Sequence, residues 1–329
     1  MNREYDNLSY KGLLMIGDPH LEARIPGFRK DNYPHVILEK LRWSLAYARS
    51  ESLLPIILGD LFHLPRSNPN WLLVEVMQQF DMEILGIYGN HDVHENILTD
   101  DDSIRVIEQA GRIRLLNEAA VYPAQINGRP VVIGGTSWGR RLPEKYDPDT
   151  QADSKPLVIW LAHHDVMVPG YEDQGRIRPK EIPGIDLVIN GHIHRCLGEI
   201  QKGRTSWLTP GNISRRARSD AARDHRPAVL RLDISQTGWT CQYIEIPHQP
   251  FDQVFYEAVA DTAADDDTGS AFVSGLAELQ ARRTQTGEGL MLFLEKNLDQ
   301  FEADVVNEIK QLAYEVTRND GPESGQADN

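Results

Sequence analysis

DLVINGHIHR, residues 186–195, is the stretch on which the reading of this chain turns. A short apolar run ends in a polar, glycine-containing loop that carries two histidines one residue apart. The run has the length and character of a buried strand. In extended backbone, residues i and i+2 point to the same side. His192 and His194 could therefore grip one metal ion, or two neighbouring ones, at the end of that strand. An isolated His-x-His is more often a pair of surface or hydrogen-bonded histidines, so the weight rests on whether the rest of the chain repeats the pattern.

It does. LLMI (13–16) leads into Gly17-Asp18-Pro19-His20, and LLPIIL (53–58) into Gly59-Asp60-Leu61-Phe62-His63. EILGIY (83–88) leads into Gly89-Asn90-His91-Asp92, and LVIWLA (157–162) into His163-His164-Asp165. Between the first three runs lie stretches with near-helical apolar spacing: His35 to Ser50, with Val36, Ile37, Leu41, Leu45 and Ala48, and Trp71 to Phe80. Alternating strands and helices imply an α/β sheet with helices packed on it. In such folds the loops at the carboxyl ends of the strands gather along one edge and form the site. Here each of those loops delivers Asp, His or Asn.

Composition sets the frame. The chain has 329 residues, enough for a sizeable core, and an ordinary balance of 40% hydrophobic and 25% charged residues. A formal net charge of -15 argues against nucleic-acid binding by the whole surface, although not by a local patch. Cys196 and Cys241 form no Cys-x-x-Cys pair and fit a reducing compartment. Cys196 is expected to be a small buried hydrophobe. No apolar run approaches a bilayer span and MNREYDNLSYK carries no signal segment, so the expectation is a cytoplasmic protein without a membrane partner.

From Thr205 the pattern changes. TSWL (205–208), PAVLRLDI (227–234) and WTCQYIEI (239–246) read as strands of a second sheet, with a hairpin connection at Asp233 to Gly238. Residues 1–248 are expected to form the catalytic domain. Residues 249–329 are read as a linker, a helical C-terminal extension and a disordered tail. The extension has a narrow stripe at Leu290, Leu294, Leu298, Phe301, Val305, Leu312 and Val316. That stripe either packs on the catalytic domain or docks a partner helix or coiled coil.

Asp, His and Asn donors suit divalent ions such as Mn²⁺, Fe²⁺ or Zn²⁺, and the absence of cysteine ligands argues against structural zinc. Two ions about 3.5–4 Å apart can clamp the attacking and leaving oxygens of a displacement at phosphorus. Such a pair needs a bridging carboxylate, and Asp60, on a strand expected between the other contributors, is the natural one. His91 is placed to give a proton to the leaving oxygen.

D-x-H, G-D, G-N-H-D, H and G-H-x-H, in this order from Leu13 to Ile246, resemble the calcineurin-like metallophosphoesterases. The resemblance implies a four-layer αββα sandwich of two mixed sheets and a centre of two divalent ions, Mn²⁺ foremost, with Fe²⁺, Zn²⁺ or Mg²⁺ as alternatives. It implies that Asp18, His20, Asp60 and His194 hold one ion. Asp60, Asn90, His192 and one of His163 or His164 hold the other, with His163 preferred. His164 then lies behind the ligands or faces the substrate. His91 becomes the general acid and Asp92 its orienting partner.

GDLFH with GNHD is similar to the nuclease subunit of SbcCD-type DNA-repair complexes, and TPGNISRR (209–216) resembles a stretch that follows the last metal motif in that group, with Asn212 where serine is usual. This implies DNA as substrate, His63 contacting phosphate beside the scissile bond, and an SbcC-like coiled-coil ATPase as partner through the C-terminal helices; a homodimer is also possible. Arg215, Arg216, Arg218, Arg223 and Arg226 form a candidate phosphate patch or a solvated loop. Two rival functions share the chain: a phosphomonoesterase or small-molecule phosphodiesterase, and an architectural subunit of an ATPase–DNA complex.

Overall fold

The computed structural model describes residues 9–117, 119–147, 155–256, 306, 307, 310 and 311. The described residues divide into two units, one of those within 9–23, 34–216 and 220–249, the other of those within 24–33, 217–219 and from 250 onward. The first unit holds two six-stranded mixed sheets.

The first sheet is built on β1 (Gly12–Ile16), β2 (Leu53–Leu58), β3 (Leu85–Ile87) and β4 (Arg114–Leu115), all parallel. Their crossovers carry α1 (Tyr33–Ser50), α2 (Asn70–Gln79) and α3 (Ser103–Gln109). The second sheet contains β5 (Tyr122–Ile126), β6 (Arg129–Thr136), β7 (Leu157–Ala162), β8 (Leu187–Asn190), β9 (Cys196–Lys202) and β10 (Thr205–Pro210), in the order β5-β6-β7-β8-β10-β9. After the short α4 (Asp220–Asp224), β11 (Ala228–Ile234) and β12 (Trp239–Glu245) return to the first sheet, where β11 pairs antiparallel with β1.

The division of strands between sheets differs from the sequence reading. The three C-terminal strands do not make a sheet of their own: β10 lies parallel to β8, while β11 and β12 extend the edge beside β1. Every residue of β1, β2, β7, β8 and β10 is buried. A strand covered on both faces has no polar side to reveal its neighbour.

Alternation along each strand builds the core between the sheets. Leu13, Met15, Leu54, Ile56, Leu58, Leu85 and Ile87 meet Ile133, Ile159, Leu161, Leu187, Ile189 and Leu208 there. The opposite face of the second sheet, with Val158, Trp160, Val188 and Trp207, packs on Val166, Val168, Ile182 and Ile185 from the segment between β7 and β8. α1 buries Ile37, Leu41, Leu45 and Ala48, and α2 buries Leu72 and Val76. The architecture is the expected sandwich of two mixed sheets flanked by helices.

In the second unit, α5 (Phe251–Val254) lies beside residues 24–33. The Arg29 guanidinium there sits 4.7 Å from the Tyr33 ring centroid and donates to both oxygens of Asp31. Of the expected C-terminal helix, residues 306, 307, 310 and 311 are helical and the rest lies outside the described residues, as does the tail. No helix among the described residues is long and apolar enough to cross a membrane.

Candidate metal centre

Parallel strands put their carboxyl ends on one edge, and the loops leaving β1, β2, β3, β7 and β8 converge there. The first two loops continue side by side, with the His20 and Leu21 amides donating to the Asp60 and Leu61 carbonyls at 2.9 Å, and the His63 amide to Leu21 at 2.8 Å. Asn190 clips the ends of β7 and β8 together: its amide oxygen accepts the His164 N–H at 3.0 Å and its amide nitrogen donates to the His164 and Gly191 carbonyls.

The loops approach so closely that glycine is needed between them. A Cβ on Gly59 would lie 2.3 Å from His163 Nδ1, and one on Gly89 would lie 2.0 Å from Asp60 Oδ1. Asp18, His20, Asp60 and His192 themselves adopt φ of 41°, 48°, 49° and 69°. This left-handed region is uncommon for residues with side chains. Such backbone strain concentrates at sites that use the side chain it presents.

Three groups of ligand atoms form among the described residues, each with its atoms within 4.8 Å of one another: Asp18, His20, Asp60 and His194; Asp60, His163 and His192; and His20, His63 and His91. Asp60 belongs to the first two, and His20 to the first and third. Its Oδ2 stands 3.6 Å from His20 Nε2 and 3.4 Å from His163 Nε2, while its Oδ1 accepts the His91 N–H at 2.8 Å. In the first group His20 and His194 face each other with Nε2 atoms 3.0 Å apart. Asn90 Oδ1 joins the second group, 3.2 Å from His163 Nε2 and 2.9 Å from His192 Nδ1.

Hydrogen-bond bookkeeping tests whether these residues fit divalent ions. His163 Nδ1 donates to the Leu58 carbonyl at 2.7 Å, so in the neutral ring Nε2 carries the lone pair. His192 Nε2 faces the Asp165 carboxylate at 2.8 Å, so Nδ1 carries the lone pair there. His163 Nε2, His192 Nδ1, Asn90 Oδ1 and Asp60 Oδ2 then all present electron pairs to one point. Asp18 Oδ2 is buried with no hydrogen-bond partner. A cluster of acceptors without donors is what a cation resolves, and the donor set fits a pair of divalent ions.

Electrostatics tells the same story. Burial, with the nearby Asp60 charge adding to it, pushes the Asp18 carboxyl up to about 8. Burial and Asp60 likewise lift Asp92 to about 7. At His163, burial opposes charge, but Asp60 and Asp18 outweigh it and push the imidazole up to about 9. Protons gather where positive charge is missing. His20 is held well below its ordinary value, chiefly by burial.

Beside the centre, the His63 and His91 rings stack at 4.8 Å and 27°, and His20 meets His91 edge-on at 4.8 Å. His91 Nδ1 is bonded to the His63 carbonyl at 2.9 Å, leaving Nε2 for proton transfer. Asp92 does not partner His91, contrary to the sequence reading. Its carboxylate is fully buried and accepts the amides of Leu61, Phe62 and Gly89, at 3.2, 2.9 and 2.9 Å. It therefore ties the β2 loop to the β3 loop.

His164 is buried and belongs to none of the three groups; burial and the neighbouring imidazoles push it down to about 4. Of the arginine loop, Arg223 and Arg226 are exposed, whereas Arg215 and Arg216 are engaged internally. Arg215 is buried, donating to the Gln249 and His225 carbonyls, and Arg216 is paired with Glu22 through Nε at 3.0 Å. Asn212 is buried and donates to Ser214 Oγ. Cys196, expected inside, is exposed because β9 is an edge strand. Two neighbours of the centre escape the sequence reading. Trp138, after β6, lies 5.0 Å from the His192 ring, and Asp165 touches His192 directly.

The calcineurin-like phosphoesterase family model matches residues 13–196. No curated protein sequence matches the chain. Among solved structures, vacuolar protein sorting 29 from Cryptosporidium parvum aligns with 72% of this chain and 97% of its own at 14% identity, with a TM-score of 0.30. The family match spans more than half of the sequence and contains every candidate ligand, so the chain belongs to the calcineurin-like phosphoesterases, enzymes of metal-dependent phosphoester hydrolysis.

Proposed function

We propose that the protein is a phosphodiesterase with two divalent ions, Mn²⁺ foremost, acting on DNA in the manner of the SbcD-type nucleases. The observation that carries this reading is the pairing of His63 with His91. The histidine of GDLFH stacks on the candidate general acid at the edge of the ligand cluster. Asp18, His20, Asp60 and His194 would hold one ion, and Asp60, Asn90, His163 and His192 the other. Bound there, the ions would supply Lewis acidity toward a phosphoryl oxygen and an activated water. His91, oriented through Nδ1 by the His63 carbonyl, would pass a proton from Nε2 to the leaving oxygen. His63 would bind the phosphate beside the scissile bond. An SbcC-like ATPase as partner, a cytoplasmic location and Arg216 as a phosphate contact belong to this proposal as well.

A second reading, a phosphodiesterase or phosphomonoesterase of small molecules, is favoured by the internal engagement of Arg215 and Arg216. The purified full chain with Mn²⁺, offered labelled single- and double-stranded DNA and p-nitrophenyl phosphodiesters, separates the two. Cleavage of DNA that His63→Ala reduces more than it reduces the small diester supports the nuclease. Turnover of small esters with intact DNA assigns the second reading.

A further inference from the structure

We infer that Asp165 is a positioning residue that fixes the tautomer of His192 and so aims its Nδ1 into the second ligand group. The inference rests on the two-ion reading of the centre.

A carboxylate accepts hydrogen bonds and cannot donate. The 2.8 Å contact between Asp165 Oδ1 and His192 Nε2 therefore places the ring proton on Nε2. In the neutral ring Nδ1, 2.9 Å from Asn90 Oδ1, is then left with its lone pair on the side of Asp60 and His163. The His192 backbone contributes differently: its N–H donates to Asp18 Oδ1 at 3.0 Å, and its φ of 69° is in the left-handed region. Peptide and ring are thus held by separate carboxylates.

Asp165 is itself held. Its carbonyl accepts the amides of Arg176 and Ile177 at 2.8 and 2.9 Å, and Val166 bridges to Ile177 in parallel register. The Tyr171 hydroxyl lies 3.4 Å from Oδ1 and Arg176 Nε 3.5 Å from Oδ2. Trp138 covers the imidazole at 33° to its plane. The ring is thereby confined on its face and at Nε2.

The contrast with His163 gives the arrangement its chemical content. His163 Nδ1 donates to a neutral acceptor, the Leu58 carbonyl, whereas His192 Nε2 donates to a carboxylate. A carboxylate acceptor raises the basicity of the ring more than a carbonyl does, and loss of such an outer partner weakens metal binding by about 10- to 100-fold. The second ligand group therefore contains one imidazole backed by a neutral carbonyl and one backed by the Asp165 carboxylate.

The test is Mn²⁺ titration of the full chain by calorimetry, for wild type, Asp165→Ala and Asp165→Asn. ¹⁵N NMR of the histidine side chains accompanies it, without metal and with Zn²⁺. Asp165→Ala should weaken one of the two binding steps about 10- to 100-fold and leave the other unchanged. The His192 signals should then lose the pattern of a single Nε2–H tautomer. Asp165→Asn, which keeps an acceptor oxygen without the charge, should fall between, and it stands in for Asp165→Ala should that variant not fold. Two binding steps of wild-type affinity in the variant that folds, with the His192 signals unchanged, overturn the inference. A wild-type chain that binds no ions overturns the two-ion reading instead.

Discussion

Replacing Asp60 by Asn removes one ligand from each of two sites at a stroke, and the structure says how much that should matter. Asp60 Oδ2 faces His20 Nε2 at 3.6 Å and His163 Nε2 at 3.4 Å, while Oδ1 holds the His91 amide. In the Asp60→Asn variant the one remaining oxygen can keep the amide or face the ligands, but not both. If it keeps the amide, an NH₂ donor points at the two imidazoles. Each ion saturating its site at a concentration of 100 Kd stabilises the fold by about 2.7 kcal/mol, so two contribute about 5 kcal/mol. For a domain of this size about 1 kcal/mol moves Tm by about 2–4 °C, giving a metal-dependent rise of roughly 10–20 °C for wild type. A loss of about 100-fold in each affinity, the upper end for an outer partner and a low figure for a shared direct ligand, leaves about 0.4 kcal/mol per site. The residual rise is then only about 2–3 °C by the same scale. The metal-free protein should respond differently. Asp60 repels Asp18 and Asp92, so removing its charge relieves both, while His163 loses the carboxylate that lifts it. Scanning calorimetry with Mn²⁺ and with EDTA, together with metal counting by mass spectrometry, reads both effects. Retention of two ions and a wild-type metal-dependent Tm rise by Asp60→Asn would refute the shared-ligand argument.

Further outcomes follow from the same geometry. His194→Ala, which takes a ligand from one group only, should leave one calorimetric binding step intact; loss of both steps would mean that the groups are not separable. His91→Ala should lower kcat about 10²- to 10⁴-fold with two ions still bound, since it removes a proton donor and no member of the two groups that share Asp60, and wild-type kcat in that variant would exclude His91 as the acid. Metal binding should strengthen and release protons between pH 7 and 9, because Asp18, pushed up to about 8, and His163, up to about 9, must give up protons to act as ligands. Both folded pKa values are raised above their unfolded ones. Their stabilisation of the metal-free fold is therefore complete below the unfolded values and lost as pH climbs through about 8 and 9, so the EDTA Tm should fall over that window. A flat EDTA Tm between pH 7 and 9 would contradict it. Gly89→Ala puts a Cβ 2.0 Å from Asp60 Oδ1, and should cost about 1–3 kcal/mol in urea melts as well as weakening both ions; a wild-type melt would show that the loops can part.

The ligand residues are legible because each sits at a fixed place, just past an apolar strand, where parallel topology collects side chains regardless of their distance in sequence. Glycines at 59 and 89 mark the same loops for a steric reason that periodicity alone does not express. Partners across the sandwich are harder to read. The fully buried β10 carries no record of its neighbours, which is why it reads together with β11 and β12. The β5–β6 hairpin escapes the pattern of apolar runs although Asn127-Gly128 marks its turn, with φ of 49° and 74°, as a two-residue loop of this kind requires. Asp92 beside His91 in sequence looks like its partner, but the turn aims its carboxylate at the amides of Leu61, Phe62 and Gly89. Arg215 and Arg216 read as a surface patch because a run of arginines does not disclose whether carbonyls or carboxylates await them inside. Asp165 lies in plain view within HHD, yet its contact with His192 spans 27 residues and depends on β7 and β8 being adjacent.

The left-handed backbone at Asp18, His20, Asp60 and His192 limits where such a centre can be transplanted. Non-glycine residues in sparsely populated conformations cost of order 1–3 kcal/mol each, so these four together weigh about 4–12 kcal/mol. That rivals the entire folding free energy of an ordinary domain, about 5–15 kcal/mol. Grafting the same side chains onto a smaller or shallower α/β host would therefore unfold the host before it assembled the ligands. A designer who copies the donors must also copy the two buried sheets that hold the peptide in place.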